Sequence, residues 1–240
     1  IGDKVITKEG RSNIVTAVHV QGDLPTLKIT TESGRSITSA LDHPFFTPEG
    51  WMQAKDLIIG NTLGLGRNLN PVKEDVWPLE GYRLLGYLLG DGCLSSAGGN
   101  GFNCALSVTD NIEKTEAINC INKMNFGYSE GKNCVYINSG VRDWLRNLGL
   151  NSTTSRTKFI PEIIFQSSNE AIANFLGAFW ATDGYISYKP KRKSGKLNIS
   201  LGICTVNKLM MEQTQKLLLK LGIFSRLRYK KSSYKGNSID

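Results

Sequence analysis

Two aspartates 92 residues apart sit in matching local sequence. Asp91-Gly92-Cys93-Leu94-Ser95 is echoed by Asp183-Gly184-Tyr185-Ile186-Ser187, and an apolar stretch precedes each copy. A single Asp-Gly is an ordinary way to end a helix. A repeated one after matching apolar helices opens a second reading: if the helices pack side by side, both carboxylates arrive together at their ends. Carboxylates held that near each other repel unless a divalent cation is shared, and oxygen donors of this kind suit Mg²⁺, with Mn²⁺ as the alternative. The carbonyls of Gly90 and Thr182 stand beside them as further oxygen donors. Such a centre suits phosphodiester hydrolysis, in which metal-bound water is the nucleophile and the cation stabilises charge on the phosphate.

The elements that would position this pair are legible from periodicity. Tyr82, Leu84, Leu85, Leu88 and Leu89 predict a helix that is apolar nearly all round and ends at Gly90-Asp91-Gly92, and residues 173–180 predict its counterpart. Gly86 and Gly90 lie four apart in the first helix, with Ala178 and Thr182 at matching places in the second, and small residues at that spacing let helix backbones approach closely. A hairpin follows each motif. Thr109-Asp110-Asn111 then opens a helix ending near Phe126-Gly127, and Thr205-Val206-Asn207 opens one ending near Leu221-Gly222. The second hairpin is the longer, through residues 189–196. Two copies of helix, hairpin, helix and strand imply a pseudo-twofold single-chain domain. The second copy is expected to have its third strand near residues 224–232, but to lack counterparts of strand 134–139 and helix 141–148, so that a further segment or a partner chain would complete it.

Length and composition frame this domain. The chain has 240 residues, 40% hydrophobic and 21% charged, which fits one large or two small globular domains. Residues 1–66 read as short strands (4–7, 14–20, 24–31 and 35–38) cut by Glu9-Gly10, Gln21-Gly22 and Ser33-Gly34 turns. The Pro- and Asn-containing stretch 66–79 reads as a linker, dividing a β module (1–74) from a domain of α+β class (75–240). No apolar run approaches the ~18 residues of a membrane span. Five cysteines without a C-x-x-C pair read as buried thiols in a reducing, cytoplasmic setting, and two histidines, His19 and His43, exclude a His-rich metal site. Net charge is −2 over residues 1–80, −1 over 81–187 and +11 over 188–240. A basic C-terminal quarter interleaved with Tyr185, Tyr188, Tyr229 and Tyr234 is what phosphate neutralisation requires, although a solvated basic face has the same composition.

Leu84-Leu85-Gly86-Tyr87-Leu88-Leu89-Gly90-Asp91-Gly92 and Phe175-Leu176-Gly177-Ala178-Phe179-Trp180-Ala181-Thr182-Asp183-Gly184 resemble the two signature helices of a LAGLIDADG homing endonuclease. Lys158-Phe159-Ile160-Pro161 is similar to the K-x-I-P segment of intein-borne members, whose lysine reaches the active site. The resemblance covers residues 80–240. It implies αββαββα repeats with saddle-shaped sheets over the DNA major groove, and metal-dependent double-strand cleavage at a long site by a monomer acting as a pseudo-dimer. On that implication Asp91 and Asp183 hold the metal and Lys158 stabilises developing charge or polarises the attacking water. Ser95, Ser96, Asn100, Asn103 and Ser107 would read one half-site. Ser187, Tyr188, Lys189, Lys191, Arg192, Lys193, Lys196, Asn198 and Ser200 would take the other, and the difference between hairpins predicts an asymmetric site.

The front module resembles a conserved block of the Hint splicing domain of inteins, through residues 34–38, Asp42-His43-Pro44-Phe45-Phe46-Thr47-Pro48-Glu49-Gly50-Trp51, Ala54-Lys55-Asp56-Leu57 and Gly60. In that family the histidine of T-x-x-H promotes the acyl shift; His43 fits, while Ala40 stands where the threonine belongs. Residue 1 is Ile rather than Cys or Ser, and the last two are Ile239-Asp240 rather than His-Asn. The expectation is therefore an intein-derived endonuclease behind a degraded or incomplete splicing module. The alternative is a splicing fragment whose endonuclease region is inactive or only binds DNA.

Overall fold

The computed structural model describes the chain except residues 8–10, 68, 70–73, 98–100, 152, 190–197, 231, 235–236 and 240. It divides into two units, Pro71–Leu217 and a second made of Ile1–Asn70 with Leu218–Asp240. Within Ile1–Asn70 the strands pair only as neighbours: β1 (Lys4–Ile6) with β2 (Ser12–Ile14), β3 (Thr26–Thr30) with β4 (Ser36–Ala40), and β5 (Pro44–Thr47) with β6 (Gly50–Gln53). These are three separate two-stranded ladders, and among the described residues no sheet joins them. Their apolar residues are little covered; Trp51 and Ile58 are exposed, while Ala54 and Thr47 are buried.

The larger unit begins with α1 (Leu79–Gly90), whose Tyr82, Leu84, Leu85 and Leu88 are buried on all sides. The hairpin β7 (Gly92–Ala97) and β8 (Gly101–Ser107) follows, then α2 (Asn111–Lys123), β9 (Gly127–Glu130), β10 (Cys134–Ser139) and α3 (Val141–Asn147). Asp110 starts α2 by accepting from the amides of Ile112 and Glu113 at 2.8 and 3.1 Å, which satisfies two of the first-turn donors. All four strands form one antiparallel sheet in the order β7-β8-β10-β9. Alternation along β8 and β10 buries Cys104, Leu106, Val135 and Ile137 on one face and leaves Asn103, Ser107, Tyr136 and Asn138 exposed on the other.

A short α4 (Glu162–Gln166) leads into α5 (Asn169–Asp183), the hairpin β11 (Gly184–Lys189) and β12 (Asn198–Ile203), and α6 (Lys208–Lys220). The first copy thus has the order αββαββα, and the second has αββα.

One expectation is corrected here. Residues 224–230 form no strand; the next one, β13 (Ser232–Tyr234), pairs locally with β14 (Asn237–Ile239). Residues 224–227 instead lie along the β3–β4 turn. The Leu227 amide donates to Ser33 O at 3.0 Å, Arg35 Nη1 to Ser225 O at 3.3 Å, and the Arg35 guanidinium covers the Phe224 ring at 5.1 Å. Gly34, at φ +85°, has no room for a side chain, because a Cβ there would meet Leu227 Cβ at 2.8 Å. Leu218–Asp240 groups with Ile1–Asn70. The local apolar and turn chemistry of residues 31–35 and 224–227 outweighs the weak strand propensity of a Lys- and Arg-rich segment.

Candidate active site at the paired helix ends

α1 and α5 pack closely, and small residues are the reason. A Cβ on Gly86 would lie 2.9 Å from Ala178 Cβ and 3.0 Å from the Phe179 amide, and one on Gly90 would lie 2.6 Å from Thr182 Cβ. Real side chains do not approach that closely, so glycine at both positions sets the interhelical distance. The glycine after each aspartate answers to a similar constraint. A Cβ on Gly92 would lie 2.7 Å from Leu88 Cα, and one on Gly184 2.7 Å from Trp180 Nε1. Gly184 has φ −83°, ψ 158°, an extended conformation open to any residue. Asp-Gly is thus required here by crowding against the preceding turn, and not by left-handed backbone.

Asp91 caps α1, its amide donating to Tyr87 O at 3.0 Å, and Asp183 is the last residue of α5. Their charges interact. Asp183 is held above the ordinary carboxylate range by partial desolvation and then by the charge of Asp91, with Lys158 opposing. Asp91 is raised by desolvation, again opposed by Lys158.

Lys158 is 5% exposed, and its ammonium donates to four carbonyls at the end of α1: Leu88 at 3.0 Å, Leu89 at 3.1 Å, Gly90 at 3.2 Å and Gly92 at 2.7 Å. A cation at a helix C-terminus meets both the orphan carbonyls and the negative end of the helix dipole. Desolvation pushes the Lys158 ammonium below the usual lysine range, and Asp183 and Asp91 pull it back. The three ammonium protons are shared among four oxygens, so the lysine acts on the helix end itself. Gly90 O, expected as a metal neighbour, already accepts one of these bonds. Thr182 Oγ1 donates back to Phe179 O at 2.8 Å.

The residues expected to meet DNA divide by strand register. Ser95 stands opposite Asn103 and Ser96 opposite Phe102, while Asn103 and Ser107 lie on the exposed face of the first sheet. In the second hairpin Ser187 pairs with Ser200, and Tyr188 with Ile199. Alternation puts Tyr188 on the opposite side of the ribbon from Ser187 and Ser200, so these three do not share one reading face. Lys189 and Asn198 face each other at the far end of the ladder. Asn100, Lys191, Arg192, Lys193 and Lys196 lie outside the described residues. Tyr136 and Asn138, absent from the expected set, share the exposed face with Asn103 and line a shallow depression there. The period-two pattern of residues 134–139 carried that signal.

In the other unit, His43 sits in the turn between β4 and β5, its amide bonded to Ala40 O at 3.2 Å and its ring edge-on to Phe45 at 5.3 Å. Among the described residues no group of three or more His, Cys, Asp or Glu side chains could hold a metal ion, and no helix is long and apolar enough to cross a membrane.

The chain is 29% identical to the replicative DNA helicase DnaB of Rhodothermus marinus, over 92% of this chain and 25% of that protein. It is 25% identical to the protein RecA of Mycobacterium tuberculosis, over 87% of this chain and 27% of that protein. The chain thus spans about a quarter of the length of the curated relatives it matches. Among solved structures, the homing endonuclease I-DmoI in complex with DNA and Mn overlaps 61% of this chain and 81% of its own, with a TM-score of 0.38 and 16% identity. Residues 170–239, which carry Asp183 and the second hairpin, match the family model of the LAGLIDADG-like domain.

Proposed function

We propose that this chain is a site-specific DNA endonuclease of the LAGLIDADG homing type, with its cleavage centre at the joined ends of α1 and α5. The carrying observation is the juxtaposition of Asp91, Asp183 and Lys158. Two helices spaced by Gly86 and Gly90 end in carboxylates, with the charge of Asp91 acting on Asp183 and a buried ammonium interacting with both. The donor set fits a hard divalent cation, because two adjacent carboxylates leave negative charge that a single lysine, occupied with carbonyls, does not offset. Asp91 and Asp183 would hold Mg²⁺ or Mn²⁺, and the bound cation would supply Lewis acidity toward a DNA phosphate. Lys158 serves as a fixed positive charge that holds the Gly90–Gly92 turn in place.

Duplex DNA would lie against the exposed sheet faces. Asn103, Ser107, Tyr136 and Asn138 present donors, acceptors and a ring on the first; Tyr185, Ser187 and Ser200 do so on the second. The basic residues after position 188 supply phosphate contacts, which makes the recognised site asymmetric. Similarity to about a quarter of two differently named proteins, the replicative DNA helicase DnaB and RecA, supports the reading that such a segment is an insert within host proteins, as an intein is. The test is incubation with a plasmid library of randomised duplex inserts in Mg²⁺ or EDTA. Mg²⁺-dependent linearisation of a sequence-defined subset is expected, and cleavage in neither condition overturns the reading.

A second reading, a Hint-type self-splicing module, draws on one observation: Ile1–Asn70 and Leu218–Asp240 form a single unit interrupted by Pro71–Leu217. His43 is the residue it would use. Short flanking peptides fused to both ends decide it, since ligated product detected by mass is expected only of a splicing module.

A further inference from the structure

The segment that carries Lys158 belongs to no strand, yet it runs through the interior, with Lys158 and Ile160 5% and 1% exposed. Buried backbone groups require partners. The Lys158 amide donates to Thr154 O at 2.9 Å, and the remaining partners come from side chains on or beside α6. Asn207 Nδ2 donates to Lys158 O at 2.6 Å and to Ser155 O at 3.3 Å. Gln213 closes a two-way pair on a single residue: the Ile160 amide donates to Gln213 Oε1 at 2.8 Å, and Gln213 Nε2 donates to Ile160 O at 3.1 Å. Together they replace the strand partner that residues 158–160 lack.

Asn207 is 4% exposed and does two jobs at once. Its Oδ1 accepts from the Met210 amide at 3.0 Å, capping α6, while its Nδ2 holds the lysine segment. The corresponding residue in the first copy is Asp110, which caps α2 but has no donor to spare. The amide is needed only where a backbone carbonyl must be held as well.

We propose that Asn207 and Gln213 are positioning residues of the cleavage centre, clasping residues 158–160 so that Lys158 is delivered to the carbonyl end of α1. This rests on the endonuclease reading above. Without the clasp the segment is free to slide, and a displacement of about 1 Å at a catalytic constellation costs up to ~100-fold in rate.

Asn207→Asp separates the two jobs, because aspartate caps a helix as well as asparagine but turns a carboxylate oxygen toward the Lys158 carbonyl. Gln213→Glu removes one of the two Ile160 bonds and serves as the independent variant. Two readouts are taken on the full chain. In metal-free, DNA-free buffer, acetylation of Lys158 by an amine-reactive ester is followed by mass spectrometry. Cleavage of a plasmid site selected from the randomised library is then followed at saturating enzyme with Mg²⁺.

The expected result is a severalfold rise in Lys158 acetylation and at least a ~10-fold slower cleavage step in both variants, with DNA affinity unchanged and the fold retained at the assay temperature. In a Lys158→Met background Asn207→Asp should add no further loss, since both act through one group. Unchanged acetylation in both variants overturns the clasp. Raised acetylation with an unchanged cleavage rate overturns its positioning role. Raised acetylation in a parent that cleaves no DNA upholds the clasp as geometry and overturns the endonuclease reading instead.

Discussion

The two hairpins that follow the aspartates are built alike and covered differently. In the first, Leu94 and Cys104 pair across the ladder beside Leu106, and all three are at most 3% exposed. In the second, the matching pair is Ile186 and Leu201, which are 74% and 66% exposed. The first hairpin continues into β10 and β9, with α2 and α3 against the same sheet; the second stands as a two-stranded ladder among the described residues. Repetition in the sequence therefore preserves the site-bearing helices and turns without preserving the cover beneath the strands. The helix ends differ in the same way. α1 is closed by the buried Lys158, whereas α5 ends with Thr182 bonded to its own helix.

Function should be symmetric where stability is not. Asp91→Asn and Asp183→Asn are each expected to lower Mg²⁺-dependent double-strand cleavage by about three orders of magnitude, while DNA affinity holds or rises because one less negative charge faces phosphate. Full-rate cleavage by either variant, in a single-turnover assay, would break the equivalence of the two motifs. The same substitutions should abolish any rise in melting temperature on adding Mg²⁺ without DNA.

Stability separates the hairpins. Leu94→Ala should cost ~2–5 kcal/mol, as buried leucines do, whereas Ile186→Ala should change stability by less than ~0.5 kcal/mol. Urea titrations of both variants read this directly. A large loss at Ile186 would show that the second hairpin is covered in solution by something that also orders it. The helix interface gives a finer contrast. Gly86→Ala meets Ala178 and the α5 backbone and should cost ~1–3 kcal/mol. Gly177→Ala has nothing within 4 Å and should gain up to ~1 kcal/mol from helix propensity alone.

The parts of this organisation that were legible in the sequence follow from local rules. Apolar stretches around Leu84–Leu89 and residues 173–180, and repeated Thr-x-Asn or Thr-Asp-Asn starts, mark α1, α5, α2 and α6 because periodicity and capping are short-range signals. The Gly86 and Gly90 spacing pointed to close helix packing for the reason the structure gives. What stayed hidden is long-range. The K-x-I-P resemblance brings Lys158 to the site, but nothing near it in sequence says that its ammonium ends on carbonyls 66 to 70 residues away, or that Asn207 and Gln213 hold its backbone. The docking of residues 224–227 on the β3–β4 turn was equally out of reach, being a matter of tertiary contacts against weak strand propensity. Proximity in sequence puts Tyr188 with Ser187 and Ser200, whereas the pairing register sets Tyr188 on the other side of the ribbon.

The smallest effect sharpens the comparison at the carboxylates themselves. Both aspartates are raised above their ordinary range, so in metal-free buffer the folded state holds protons more tightly than the unfolded chain. The stability this contributes is fully present below the unfolded carboxylate pKa and is lost as pH rises through the raised folded values. Both groups are partly solvated, which keeps the effect modest. In EDTA the melting temperature should therefore fall as pH climbs from the carboxylate range toward neutrality, against the rise expected of carboxylates held in ion pairs. Asp183→Asn should flatten that fall, because Asp183 is raised both by desolvation and by the charge of Asp91. Mg²⁺ should reverse the slope, since a bound cation favours the deprotonated pair. A pH profile that is the same with and without Mg²⁺, measured by calorimetry on the parent and on Asp183→Asn, would show that the two carboxylates do not share an ion and that the repeated Asp-Gly only ends two helices.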